Sequence, residues 1–208
     1  MIEVFCDGLC EPYNPNGTAT YGFVIYENGK KIHEDWNVIG SGKGMTNNIA
    51  EYTGAIKSLE WLKDKELTKD IVIKSDSQLL IRQLNGQYAV RSSNLQPLFA
   101  KVKKLLKSFK KVKFVWIPRE QNEEADSLSR KAYNQFMQTS RLQKAKNISL
   151  EKIKKIDDNR YSIQGTKEYI VDLTKDTCTC PDFKKHQRVN VECKHILAVK
   201  LNKSLLDH

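Results

Sequence analysis

Three apolar, aromatic-rich runs, at 2–6, 21–26 and 31–38, precede any helical spacing, and the turn Glu27-Asn28-Gly29-Lys30 joins the second run to the third. Asn and Gly both tolerate positive φ, so this turn closes a hairpin and the runs form an antiparallel three-stranded meander. From Thr46 the pattern changes: Ile49, Tyr52, Ala55, Ile56, Leu59 and Leu62 recur at helical spacing, and Asp70 then leads into a β-rich run at 71–75. Strands, then helix, then strand is an α/β order. A short helix at 79–84, a longer one at 95–109, a strand at 112–117 stopped by Pro118 and a helix at 123–138 complete this region.

After Gln138 the chain turns polar and loses its apolar period, which suits a linker. A boundary near Ser140 gives a domain over 1–138, a linker over 139–148 and a smaller domain over 149–208. The small domain carries a hairpin, 160–164 with 168–173 about Gly165, and a final helix at 195–201. The chain holds 35 Lys and Arg against 25 acids, and 15 against 9 of these lie in 139–208. A surplus of that sign attracts polyanions, nucleic acid above all. No apolar stretch approaches the roughly 18 residues that span a bilayer, and acids stand where a signal peptide needs an apolar run, so a soluble, cytoplasmic protein with no membrane partner is expected. Five Cys is an odd count for a disulfide framework, which leaves metal ligation or buried thiols.

Asp7 ends the first run, Glu51 lies on the first helix, Asp76 follows the next strand and Asp126 lies early in the helix at 123–138. Strand ends and helix starts converge on one crevice in a sheet with parallel pairs, so Asp7 and Asp76 can be neighbours. Clustered carboxylates repel one another, and hard divalent cations relieve that conflict. Surface acids are also common, and spacing alone leaves both possibilities open.

The local context is more specific. Phe5-Cys6-Asp7-Gly8, Thr46-Asn47-Asn48-Ile49-Ala50-Glu51, Lys74-Ser75-Asp76-Ser77-Gln78 and Asn122-Glu123-Glu124-Ala125-Asp126 resemble, in order, the four motif blocks of type 1 ribonuclease H. The resemblance implies a ribonuclease H-like fold, a five-stranded mixed sheet flanked by helices, and an endonuclease cutting the RNA strand of RNA/DNA hybrids. It implies that Asp7 bridges two Mg²⁺ or Mn²⁺ ions, that Glu51, Asp76 and Asp126 complete their shells, and that the products carry 5′-phosphate and 3′-hydroxyl ends. Among substrate contacts it implies Gly8, Thr46 on a DNA-strand phosphate, and Asn47, Asn48 and Gln78 at the minor groove, where amides meet 2′-hydroxyls. Thr and Asn are also good helix N-caps, and Thr46 can serve both ends.

Two departures from the bacterial pattern stand out. The shorter loop Pro118-Arg119-Glu120-Gln121 lacks the His of many relatives and is similar to the archaeal-like branch; Arg119 is its candidate replacement through a phosphate contact, with a cap or salt bridge as the alternative. The segment 79–95 is too short for a basic protrusion. Lys101, Lys103, Lys104, Lys107, Lys110, Lys111 and Lys113 interleave with Val102, Leu105, Leu106 and Phe109, as in an amphipathic helix with a solvated lysine face, a dedicated grip on DNA being the alternative. Trp36, Trp61 and Trp116 sit in apolar patterns and are expected in the core.

Cys178 and Cys180 are two apart, as are Cys193 and His195. Extended chain puts residues i and i+2 on one face, so each pair offers two ligands to one point, and three thiolates with one imidazole suit a structural, tetrahedral Zn²⁺. The spacing, with Tyr169-Ile170-Val171, Cys180-Pro181-Asp182-Phe183 and Cys193-Lys194-His195-Ile196, resembles the SWIM zinc finger. A zinc-stabilised hairpin-plus-helix domain is therefore expected, with His186 outside the ligand set and Cys6 and Cys10 as ordinary thiols. Such modules contact nucleic acid or protein; Lys184, Lys185, Arg188 and Lys194 around the site favour nucleic acid. Two further functions stay open: a non-enzymatic nucleic-acid or protein adaptor on the same scaffold, which does not require the four acids, and a same-fold nuclease acting on another duplex.

Overall fold

The computed structural model describes residues 1–68, 70–186 and 192–206. Arg188 and the side chain of His186 lie outside the described residues. The chain divides into two compact units, Met1–Tyr133 and Asn134–His208.

The first unit is a five-stranded sheet in the order β3-β2-β1-β4-β5, built from β1 (Ile2–Glu11), β2 (Thr18–Glu27), β3 (Lys30–Ser41), β4 (Ile71–Ser75) and β5 (Val112–Trp116). The meander β1-β2-β3 is antiparallel, whereas β1 with β4 and β4 with β5 are parallel, so the sheet is mixed. Asn28 and Gly29 carry φ of 51° and 80°, the left-handed turn that the hairpin requires. Helix α1 (Asn47–Asp64) buries Tyr52, Ala55, Ile56, Leu59 and Leu62 in one core with Val4, Cys6, Phe23, Ile25 and Ile73 of the sheet. Helices α2 (Gln78–Leu84) and α3 (Gln96–Leu106) add Leu80, Leu84 and Val102 to that core. The lysines on and after α3 are exposed, as an amphipathic helix requires.

Helix α4 (Glu123–Lys146) extends past the expected stop at 138 and through most of the segment expected as linker. Strand β1 also exceeds expectation: it pairs with β2 as far as Glu11 opposite Thr18, so Asp7 lies inside the strand and not at its end. The tryptophans divide. Trp61 stacks on His33 at 4.2 Å, and Trp36 lies half-buried beneath the Lys131 ammonium, 3.8 Å from the ring centre. Trp116, by contrast, is 46% exposed, because β5 is an edge strand with no outer neighbour.

The second unit holds a four-stranded sheet in chain order, β6 (Ile153–Lys155), β7 (Arg160–Gln164), β8 (Glu168–Asp172) and β9 (Thr177–Cys178), all antiparallel. Helices α5 (Pro181–His186) and α6 (Lys194–Leu206) follow. Its small core joins Ile153, Tyr161, Ile163 and Val171 to Ile196, Ala198 and Val199, and includes Ala145 from the end of α4. Among the described residues no helix is long and apolar enough to cross a membrane.

Candidate active site and metal centre

The parallel register of β1 with β4 ends at Phe5 opposite Lys74, while β1 continues. Asp7 therefore sits just past that pairing, and Asp76 directly follows β4, which brings the two acids to the same end of these neighbouring parallel strands. Gly8 fixes the third. A Cβ there would lie 2.2 Å from the Glu51 amide nitrogen and 2.3 Å from the Ala50 carbonyl carbon, so only glycine lets β1 meet α1 this closely. Gly22 does the same for the fourth acid: a Cβ on it would lie 2.5 Å from the Ser129 nitrogen, so its absence admits α4, and with it Asp126, beside Asp7's partner strand.

Each carboxylate is held by named neighbours. Ser129 Oγ lies 2.7 Å from Asp7 Oδ2 and 2.9 Å from the Asp126 carbonyl, two acceptors for one hydroxyl proton. Ser75 Oγ donates to Glu51 Oε2 at 3.4 Å. Asn122 Nδ2 donates to Asp76 Oδ1 at 2.7 Å. Asp126 accepts from Arg119 Nη2 at 2.7 Å and from Arg130 Nε at 2.9 Å. Burial, with the Asp76 and Asp126 charges added, pushes Asp7 up to about 6 against the pull of the Ser129 hydroxyl. Burial and the charges of Asp7 and Asp76 push Glu51 well above the usual carboxylate range. The buried Cys6 thiol is raised too, by burial and by the same acids. Asp7 and Glu51 are hard oxygen donors whose ionisation is opposed by burial and by neighbouring acids, a conflict that divalent cations relieve.

The expected substrate-contacting residues lie close by in sequence, with different surroundings. Thr46 caps α1, its hydroxyl accepting from the Ile49 amide at 3.2 Å. The Asn47 amide donates to Asn14 Oδ1, and Asn47 Oδ1 is buried with no hydrogen-bond partner. Asn48 and Gln78 are exposed. Arg119 makes the salt bridge that was its alternative role. Ser129 and Arg130 were not singled out from sequence, and Asn122 stood there only as the first residue of the fourth motif block, without a role. For Ser129 and Arg130 the available signal was their position three and four residues after Asp126 on one helix.

In the second unit, the ligand atoms of Cys178, Cys180, Cys193 and His195 all lie within 4.8 Å of one another, and all four residues are buried. β9 delivers Cys178, the start of α5 follows Cys180, and α6 delivers His195. The Phe183 amide donates to Cys180 Sγ at 3.3 Å, and the Cys180 amide to Cys178 Sγ at 3.5 Å. Donation from the neighbouring thiols pushes Cys180 down toward the thiolate. Tyr169 stacks on the His195 imidazole with centroids 4.9 Å apart. Soft sulfur and nitrogen donors in this number fit a closed tetrahedral zinc site.

Residues 6–132 match the reverse transcriptase-like family, well over half the chain. The chain belongs to that family. Its first unit has the ribonuclease H fold: the RNase H1 of the halophilic archaeon Halobacterium salinarum superposes with a TM-score of 0.59 at 30% identity, over 64% of this chain and 98% of that one. LC11-RNase H1, solved in complex with RNA/DNA hybrid, gives 0.58 at 35% identity, over 64% and 96%. In sequence, the ribonuclease HI of Halobacterium salinarum is 34% identical over 132 residues, 63% of each chain. The bifunctional protein Rv2228c of Mycobacterium tuberculosis is 31% identical over 129 residues, 61% of this chain and 34% of its own. The chain thus spans about a third of the mycobacterial relative and under two thirds of the halobacterial one. Residues 164–204 of this ribonuclease H-fold protein match the SWIM zinc finger.

Proposed function

We propose that this protein is a divalent-metal-dependent endoribonuclease that hydrolyses the RNA strand of RNA/DNA hybrids. The observation that supports the proposal is the mutual influence of these acids: burial and the charges of Asp76 and Asp126 raise Asp7, and burial and the charges of Asp7 and Asp76 raise Glu51. A fold that needed only to bind would gain nothing from burying acids against one another. Asp7, Glu51, Asp76 and Asp126 hold two Mg²⁺ or Mn²⁺ ions in this proposal. When bound, the ions supply an activated water for in-line attack and neutralise charge on the phosphodiester. The chain's own residues supply position. Ser129 orients Asp7, and Arg119 and Arg130 hold Asp126 at the rim. The amides of Asn47, Asn48 and Gln78 contact the minor groove, where a 2′-hydroxyl, donor and acceptor at once, distinguishes RNA from DNA. The products carry 5′-phosphate and 3′-hydroxyl ends.

The zinc unit, holding one structural Zn²⁺ on Cys178, Cys180, Cys193 and His195, adds a second grip on nucleic acid. Exposed Lys184 beside the cluster and the basic surplus of residues 139–208 support that role.

The test offers purified protein, with Mg²⁺ or Mn²⁺, an RNA/DNA hybrid, double-stranded RNA and single strands, beside an Asp7→Asn variant. Cleavage of the hybrid alone, lost in the variant, is expected. Absence of any cleavage would favour an adaptor, and preferential cutting of double-stranded RNA a different duplex as substrate.

A further inference from the structure

Asn122 is the residue before α4, and its carbonyl accepts the first helical bond, from the Asp126 amide at 3.0 Å. That makes it the N-cap, where an Asn side-chain oxygen ordinarily accepts from an amide of the first turn. Here the side chain does something else. Its Nδ2 donates both hydrogens inward, to the Cys6 carbonyl at 3.1 Å and to Asp76 Oδ1 at 2.7 Å. Oδ1 is left buried with no hydrogen-bond partner, in a residue only 1% exposed. Turning the amide over would aim its oxygen at a carbonyl and a carboxylate, two acceptors, so the orientation is fixed by its neighbours. Asp76 Oδ2 keeps no hydrogen bond among the described residues. A buried carbonyl left unpaired and a forgone cap are not what stability alone selects.

We propose that Asn122 is a positioning residue. It ties the Asp76 carboxylate through Oδ1 to the β1 backbone immediately before Asp7, and so sets the separation of the two acids and reserves Oδ2 for the cation. Carbonyl, amide and carboxylate form one line from β1 to Asp76, with α4 anchored to its middle. The inference rests on the reading of Asp7 and Asp76 as cation-holding acids.

Asn122→Ser leaves a residue type favoured at the N-cap and deletes both side-chain amide N–H donors, and it is tested in the full zinc-loaded chain. The calorimetric dissociation constant for Mn²⁺ is expected to rise about 10-fold and kcat to fall by a similar factor, while KM for the hybrid stays within about twofold. A folded Asn122→Ser protein with wild-type Mn²⁺ affinity overturns the proposal, as does a change confined to melting temperature. Should this variant fail to fold, the wild-type side-chain amide decides by NMR. Nδ2 protons protected from exchange and shifted by Asp76→Asn support the tie; freely exchanging protons indifferent to Asp76→Asn overturn it. If the wild-type chain cleaves no hybrid, the nuclease reading falls, and the Mn²⁺ titration still decides the role of Asn122.

Discussion

A carboxyl that burial and its neighbours push from an ordinary 3.8 up to about 6 works against the fold that contains it. Folded Asp7 keeps its proton to higher pH than the unfolded chain does. Its contribution to stability is therefore complete below about pH 4 and lost as pH rises through about 6, a difference of roughly 3 kcal/mol. Asp7→Asn removes that loss. In buffer without Mg²⁺ or Mn²⁺, the melting temperature of the first unit should rise by roughly 5–10 °C at pH 7.5 and hardly change at pH 4, in the same variant whose cleavage is abolished. Calorimetry at both pH values checks this, and equal effects at the two would exclude the explanation. Ser129 acts in the opposite sense, its hydroxyl stabilising the ionised form of Asp7. Ser129→Ala should move the Asp7 midpoint, followed by carboxyl carbon NMR, above that of the wild type. No change would mean that the proton stays with the Asp126 carbonyl instead.

Elements were legible where local chemistry decides them and illegible where a distant partner does. Asn28-Gly29 dictated its hairpin, and the spacing from Ile49 to Leu62 dictated α1. Asp7-Gly8 reads as a strand end, yet β1 runs on because β2 offers it partners as far as Thr18. The four acids and the Cys/His set were visible as short motifs, whereas Ser129, and the role of Asn122 within its motif, depend on groups more than forty residues away in sequence. Helix α4 shows the same limit. Residues beyond 138 have no apolar period, but the second unit supplies what they need. Arg141, 3% exposed, donates twice to Asp182, and Ala145 is fully buried beside the zinc ligands' core. Two short pieces, β6 and β9, carry too few residues for any period to register. Because α4's last turns belong to the small core, Ala145→Glu should bury an unpaired charge there and cost several kcal/mol, on the order of 3 or more. The expected result is a lowered melting transition for the second unit and faster zinc loss to a colorimetric chelator, with the first unit's transition unmoved.

At the scale of the whole chain, the formal charge of +10 belongs to both parts, so a basic surplus alone does not tell a folded grip from a diffuse attraction. Geometry separates them. A unit of this size has little core, and its ligands are gathered as zinc would hold them, so zinc removal should unfold it and leave its charges attached. Deleting residues 147–208 removes fold and charge together. Hybrid binding can be followed in the Asp7→Asn background without Mg²⁺, over a range of salt. If the folded module grips, chelation and deletion should each weaken affinity by about 10-fold or more at moderate salt, since the second grip no longer adds to local concentration. Deletion should also lower the slope of log affinity against log salt by about 1 for each phosphate that the module neutralises. Weakening by deletion but not by chelation would assign the effect to the lysines as an unfolded polycation. Indifference to both would leave binding to the first unit, where the exposed lysines of α3 and the strand after it carry enough positive charge to hold a phosphate backbone unaided.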